Sequence, residues 1–538
     1  MTRMTGGDAV VETLRAFGVD HVFGIVSVHN IPIYDAILRR GGIRTIDVRH
    51  EQGALHAADG YSRATGKLGV AITSTGPGAT NGMTGLFEAG FASSRVLMIT
   101  GQTETQHYGK GKGVLHEAEN QLDMLRQVTR VTESPRSVED VSPALQRVMR
   151  DILSGRPQPG AIEIPVDLQY AELDFEVPAQ FESRALVPGE AAISAAANRI
   201  GESTRRIIIA GGGVIRAEAG DALVALAERL EAPVFTTVNG RGAIPEDHPL
   251  AGGTFLMAAR EAIASADVVI AVGTRFQGGS TGNFSLSLPG DLVHVDADPH
   301  MIGLNYRATF PVVGDARLAL EALDAHLNPE PSDPGFRDDV LAAVASARAG
   351  VRTRMGPDFE VVMDTIRRHL PVDGNIVRDA TVPAYVWGNT LIPVLQPKTS
   401  HHSTSAAIGP GLPLAIGASL GSGARTVLIQ GDGGFMLNLS ELATAVQYQV
   451  PLVICVFNDK GYGVLRRIQA ARFEGRNTGV NLVTPDFAAV AQAMGMKGVS
   501  VKGVDAFVSA FAAAVSHDGP VLLDIDMAAL AGMNMGIG

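Results

Sequence analysis

Two apolar runs, Thr426–Gln430 and Leu452–Phe457, bracket a helix-like segment, and each ends on an acid-bearing loop, Gly431-Asp432-Gly433 after the first and Asn458-Asp459 after the second. Runs this short and this continuously apolar read as strands buried on both faces. The stretch between them has the length of one crossover, so the pair predicts a parallel strand–helix–strand unit whose two strand tips open on the same edge. Asp459 stands 27 positions beyond Asp432, which lets both loops reach one cation. Glycines at a strand tip allow backbone N–H groups to approach a diphosphate, and an Asp carboxylate there can hold a hard metal that bridges the phosphates. A Gly-Asp-Gly tripeptide alone is usually only a turn. The second acid at crossover spacing is what singles this one out.

The rest of the chain repeats the alternation. Residues 1–175 carry strand-like runs at 21–26, 45–48, 69–74, 96–100 and 160–164, with helical segments at 7–17, 31–39 and 51–65 between them. Residues 190–325 form a second alternating unit with runs at 206–210, 233–236, 268–272 and 292–296, and residues 358–527 form a third that contains the opening motif. Polar, proline-bearing stretches at 175–188 and 326–357 read as linkers, and 528–538 as a C-terminal tail. The expected fold class is α/β, with three doubly wound parallel-sheet domains. Gly211-Gly212-Gly213 after a strand is a plain strand-to-helix turn or a nucleotide-binding one, since the full spaced-glycine fingerprint is lacking. No short internal repeat joins the three units.

Composition removes several classes. A net charge of −12 with 19% charged residues argues against a nucleic-acid surface. No apolar run reaches the roughly 18 residues of a membrane span, and the N-terminus has no signal-peptide core. The single cysteine, Cys455, sits in an apolar run and implies no disulfide framework. A cytoplasmic enzyme is expected.

The segment RHEQGALHAADGYSRATGKLGVAITSTGPGATNGMTG, together with VIAVGTRF, VHVDADP, PVVGDARLAL, AAIGPGLPLAIGA and the opening motif, resembles the thiamine diphosphate (ThDP) enzymes of the acetolactate synthase and benzaldehyde lyase-like group over nearly the whole chain. The resemblance implies a pyrimidine-binding domain at 1–175, a central Rossmann-like domain at 190–325 and a diphosphate-binding domain at 358–527. It implies that Glu51 meets N1′ of the aminopyrimidine, where a buried carboxyl sharing a proton favours the imino form that removes the thiazolium C2 proton. Chemistry would then run through the C2 ylid and the enamine formed from it. By the same resemblance Gly76 and Asn81 flank the cofactor, and Ile408, otherwise a plain core residue, is the apolar wedge that bends it. Gly431, Gly433, Gly434 and Tyr462 line its diphosphate, and Asp432, Asp459 and the Gly461 carbonyl ligate Mg2+. The second metal position is usually Asn, so Asp459 adds charge beside the diphosphate.

Substrate handling is expected of His29, in FGIVSVHNIP, and Gln121, in HEAENQLDM, an imidazole and an amide that could relay protons to the adduct. The bland alternatives are a solvated loop histidine and a helix-surface glutamine. His116, His401 and His402 read as loop polar groups. Arg466, Arg467, Arg472 and Arg476 either meet an anionic substrate or are solvated. Ile468 stands where acetolactate synthases usually place Trp, and AGGTFLMAARE replaces a loop of the FAD-bearing members, which argues against FAD.

The resulting expectation is a ThDP- and Mg-dependent lyase, carboligase or decarboxylase acting on 2-oxo acids or 2-hydroxyketones. Alternatives are acetolactate synthase proper, a 2-hydroxyacyl-CoA lyase or FAD-assisted oxidase, and a non-catalytic homologue. The resemblance further implies a homodimer or homotetramer with active sites between subunits, a small-molecule carbonyl substrate, and neither nucleic-acid nor membrane partners.

Overall fold

The computed structural model of the chain describes residues 2–533; of the tail expected over 528–538, residues 534–538 lie outside the described residues. Three six-stranded sheets form the frame, and every pairing within them is parallel. The first sheet runs Arg44–Asp47, His21–Gly24, Gly69–Thr73, Val96–Gln102, Gly160–Pro165, Val131–Glu133, which by order of appearance is 2-1-3-4-6-5. The third repeats that order as Ser400–His402, Asn375–Arg378, Thr426–Gly431, Leu452–Asn458, Val521–Asp526, Lys497–Lys502. The middle sheet differs. Its order, Ala251–Gly253, Val234–Thr236, Arg206–Ala210, Val268–Val272, Leu292–Asp296, Phe310–Val313, is the 3-2-1-4-5-6 of dinucleotide-binding folds. The first and third domains are therefore topological twins around a differently wound centre.

The continuous apolar runs became the sheet centres: every residue of Gly69–Thr73 and of Leu452–Asn458 is buried. Val131–Glu133, Ala251–Gly253 and Phe310–Val313 were not expected as strands. Pieces of three or four residues at or next to a sheet edge take their pairing from a neighbour and leave no run to read. Thr2–Thr5 and Glu172–Phe175 pair antiparallel and tie the N-terminus to the end of the first domain.

The stretch 326–357, expected as a linker made of a proline-bearing piece and a charged helical segment, does contain a helix, Pro334–Met355, and that helix is packed into the core. Phe336, Val340 and Val344, spaced four apart, form a stripe that enters a core shared by Ile207 and Val269 of the middle sheet and Val427 and Val453 of the third. The tail is also docked as far as it is described, with Leu530 and Met533 in the same core and the Ala531 N–H donating to Asp358 Oδ2 at 2.7 Å. His401 and His402, expected on a loop, lie in the edge strand Ser400–His402.

Helix Glu51–Thr65 of the first domain crosses helix Gly411–Ser422 of the third at close quarters. A Cβ at Gly60 would stand 2.1 Å from the Leu414 carbonyl oxygen, and one at Gly417 would stand 1.8 Å from that of Ala57. Glycine is required at both positions for the helices to touch. No helix among the described residues is long and apolar enough to cross a membrane.

Candidate functional site

In an open parallel sheet, ligands settle at the carboxyl ends of the strands where the winding reverses. In the third domain that point lies between Asn375–Arg378 and Thr426–Gly431. A cavity of about 270 Å³ opens there, its walls including Thr381, Tyr385, Ile408, Gly433, Asp459 and Tyr462.

Asp432 opens a one-turn helix at the tip of its strand and is fully buried. Its carboxylate accepts from the Gly461 N–H at 2.8 Å and, weakly, from the Asp459 N–H at 3.4 Å. Burial raises its pKa. Burial and then the Asp432 charge push Asp459 up to about 6. Two neighbouring acids, both raised by burial and Asp459 also by the Asp432 charge, form a donor set that a hard divalent cation would relieve. No third His, Cys, Asp or Glu side chain joins them among the described residues, which leaves a backbone oxygen as the third ligand. The Gly461 carbonyl oxygen meets that need, since it would be 3.0 Å from a Cβ at Gly433. The same Cβ would stand 2.7 Å from the Tyr462 ring, so Gly433 keeps an open cradle beside the two acids. The residues present thus fit a cation and a diphosphate.

Arg466 lies 3.6 Å from Asp459. It is committed to the loop itself, donating to the carbonyls of Asp459 and Lys460 at 3.1 Å each and to Asn481 Oδ1 at 3.0 Å. Arg476 pairs with Glu474 on the exposed surface. Helix Gly463–Arg472, which carries Arg467 and Ile468, has no buried residue.

Ile408 is 37% exposed and lines the cavity, so it is not a core residue. It follows a turn in which Ala406 takes φ +63°. That turn is held from the first domain: buried Glu88 accepts from the Thr404 and Ser405 N–H groups at 2.6 and 3.0 Å and from Arg63 at 2.9 Å.

The first domain builds a matching switch point between His21–Gly24 and Gly69–Thr73. Glu51 is the first residue of its helix, 9% exposed, and accepts from Asn81 Nδ2 at 3.0 Å. Gly78 packs on the carboxylate, with 3.0 Å from a Cβ there to Glu51 Oε1. Gly76, at φ +57°, passes so close to the His116 carbonyl oxygen that a Cβ would stand 2.4 Å away.

Gln121 is buried, and each of its hydrogen-bonding positions is taken. Oε1 accepts from Thr75 Oγ1 and the Gly76 N–H at 2.9 and 2.7 Å, and Nε2 donates to the Gly101 carbonyl and to Glu163 at 3.0 Å each. The amide thus fastens the Thr75–Gly76 turn.

His29 is buried, and its Nδ1 has no partner among the described residues. Burial and then His116 hold its pKa below the usual imidazole value, so the ring is neutral. His116, expected as a loop polar group, faces it at 5.3 Å between ring centroids, from a left-handed backbone at φ +58°. Nothing local in HEAENQLDM marks that role, because it depends on the 104–120 loop folding back over the sheet.

The two half-sites do not merge within one chain. Every residue lining the Asp432 cavity lies between 380 and 465, and none belongs to the first domain. Exposed apolar side chains border both halves, Val26, Val28 and Ile31 on the first domain and Met436, Leu437 and Leu465 on the third.

At the switch point of the middle sheet, between Arg206–Ala210 and Val268–Val272, the Gly211–Gly213 turn abuts Gly273 so tightly that a Cβ at Gly213 would lie 2.5 Å from the Gly273 Cα. Small cavities here share Arg216 and are bordered by Arg95, Arg156 and Arg275. The Arg216 guanidinium is lowered to about 10 by burial first, with those three arginines adding to the lowering and Asp296 opposing it.

Comparison with known proteins adds to this geometry. Three family profiles match the chain in order. They are the N-terminal TPP binding domain of thiamine pyrophosphate enzymes at residues 4–124, their central domain at 193–323 and their C-terminal TPP binding domain at 383–525. A Pseudomonas aeruginosa protein named probable 2-ketoarginine decarboxylase is 37% identical over 532 residues, 97% of this chain and 94% of its own. A Methanocaldococcus jannaschii protein named probable acetolactate synthase large subunit is 33% identical over 550 residues, 97% and 92% of the two chains. The acetolactate synthase of Arthrospira platensis is 33% identical over 565 residues, 97% and 94%.

Proposed function

Since the chain belongs to the thiamine pyrophosphate enzyme family, we propose that it is a ThDP- and Mg2+-dependent decarboxylase or carboligase that breaks or makes a carbon–carbon bond beside a carbonyl, with a 2-oxo acid as donor. The observation that carries this reading is the pair of half-sites at twin switch points: a buried carboxylate with Asn81 on one domain, and two acids, a carbonyl and a glycine cradle on the other.

Asp432, Asp459 and the Gly461 carbonyl would hold the cation, and the backbone at Gly431, Gly433 and Gly434 would admit the diphosphate. Ile408 offers an apolar surface for the cofactor's bend. Glu51 would share a proton with the pyrimidine of the bound cofactor, and Asn81 keeps its carboxylate aimed. Bound ThDP supplies a carbon nucleophile and takes up the electron pair released when the substrate bond breaks. His29 and His116 face each other on the first domain, and the neutral His29 ring could give or take a proton at the substrate oxygen. Gln121, with no free amide position, positions the Thr75–Gly76 turn. Glu51 and the Asp432 cavity belong to separate surfaces that both carry exposed apolar side chains, which supports an active site shared by two copies of the chain in a homodimer or a dimer of dimers.

The test is incubation with ThDP, Mg2+ and a panel of 2-oxo acids, acyloins and acyl-CoAs, following CO2, aldehyde and acyloin. Decarboxylation of at least one 2-oxo acid is expected. A cofactor-loaded enzyme that releases no CO2 and forms no acyloin with any of them would overturn the reading. The relatives' names point to two donor types, 2-ketoarginine and the donor of acetolactate synthesis, and both belong in the panel.

A second reading has its own support. Four arginines border the glycine turn of the middle sheet, Arg156 of them paired with Asp298, and that charge supports a phosphate-bearing nucleotide in that domain. For a flavin the purified protein is expected to be yellow, with absorbance near the flavin bands. A colourless protein excludes the FAD-assisted oxidase and leaves a non-flavin nucleotide.

A further inference from the structure

The strongest unassigned side chain in the molecule is Glu441. It lies nine positions beyond Asp432 in the third domain, is fully buried, and makes no ion pair among the described residues. Its carboxylate reaches across the domain seam. Oε1 accepts from the backbone N–H groups of Arg49 and His50 at 3.0 and 3.1 Å, and Oε2 accepts from the Thr444 hydroxyl at 2.6 Å. Those two amides immediately precede Glu51. The first turn of a helix leaves backbone donors unsatisfied, and a carboxylate placed there satisfies them and complements the positive helix end. Here that carboxylate comes from a different domain. Gly53 is shaped to admit it, because a Cβ at that position would stand 2.5 Å from Glu441 Oε1. The rest of the seam holds the same backbone. Tyr448 Oη accepts from the Asp47 N–H at 2.8 Å, and Gln447 Oε1 accepts from Arg49 Nη2 at 2.6 Å.

We propose that Glu441 is a positioning residue for Glu51: it anchors the backbone that presents the Glu51 carboxylate to the third-domain helix Glu441–Gln447, which follows the Asp432 turn. The inference rests on the reading of Glu51 as the residue that exchanges a proton with the cofactor. It also has a consequence for the assembly. If each Glu51 serves a cofactor held by the partner copy, Glu441 links an element of one active site to an element of the other through a single chain.

The role is one of accepted hydrogen bonds at a set reach, and two substitutions separate reach from charge. Glu441→Gln keeps an oxygen at full length for Arg49 and His50, and its amide nitrogen falls opposite the Thr444 hydroxyl, which can accept. Glu441→Asp keeps the charge but withdraws it by one methylene. Two readouts apply. Hydrogen–deuterium exchange of the peptide spanning 47–54 in the cofactor-free protein is expected to stay protected in Glu441→Gln and to lose protection in Glu441→Asp. With ThDP and Mg2+ saturating, exchange of the thiazolium C2 proton is expected within about threefold of wild type for glutamine. For aspartate it is expected to be slower by about tenfold to a hundredfold, the scale of a 1 Å misplacement. ThDP affinity is expected to be similar in both.

An aspartate variant that matches or outperforms the glutamine variant in both readouts would overturn the proposal, because charge and not reach would then matter. So would wild-type protection and exchange in both. A Glu51→Gln control separates the two levels: if it exchanges C2–H at the wild-type rate, the reading of Glu51 fails, whereas slow exchange there with unaffected Glu441 variants sinks only the positioning role.

Discussion

Replacing Glu51 by glutamine is expected to lower kcat by about 10²- to 10⁴-fold, the range that a positioned acid–base group supplies, while ThDP stays bound. The substitution is nearly isosteric, and the helix that starts at Glu51 is fixed by Glu441, Gly60 and Gly417, so the fold has no reason to change. What is lost is a group that can share a proton, because an amide oxygen accepts a hydrogen bond but does not take up the charge. The measurement is turnover beside calorimetric ThDP affinity. Activity at the wild-type rate with cofactor bound would refute the activation role. A large loss of affinity with kcat intact at saturation would make Glu51 a binding group only.

The second large effect is at Asp432. Asp432→Ala removes a direct cation ligand, and since even contacts one shell further out are typically worth 10- to 100-fold in metal affinity, a loss of about a hundredfold or more is expected here. The cofactor-free protein should melt at nearly the wild-type temperature. Removing the carboxylate relieves its repulsion with Asp459, whose pKa is pushed up to about 6 by burial and that neighbour, and this offsets the two N–H groups left unpaired. What disappears is the rise in Tm on adding ThDP and Mg2+, since a ligand stabilises only the state it binds. Thermal melts with and without the pair decide the matter: an undiminished ligand-induced shift would place the cation elsewhere.

Some of the site was legible because it sits at strand tips. Asp432 and Asp459 each follow a buried apolar run by one or two residues, and Glu51 follows the strand Arg44–Asp47, which in a parallel sheet puts all three on the carboxyl edge. Ile408 was ambiguous, and its exposure on the cavity wall resolved it against the core. His116 sits exposed on a turn, as its reading as a loop group has it, and what the sequence left unread is that it faces His29 and that the Gln121 amide is engaged by the Thr75–Gly76 turn, Gly101 and Glu163. Both residues lie in the 104–121 segment, where no periodicity constrains how the backbone folds back. In the 326–357 stretch the helical segment was legible but its docking was not, because the stripe at 336, 340 and 344 means little until two sheets exist to receive it.

From its residues alone the chain determined three α/β units, their continuous buried strands and the acids that cap them, because burial on both faces leaves a direct trace in composition and a strand tip has one possible address. Tertiary structure alone decided which helices meet across the seam between first and third domains, that Glu88 and Glu441 each cross it to hold the other domain's functional loop, and that the two half-sites face outward separately. Those facts depend on contacts between residues hundreds of positions apart. A buried carboxylate looks the same in sequence whether it caps its own turn or another domain's.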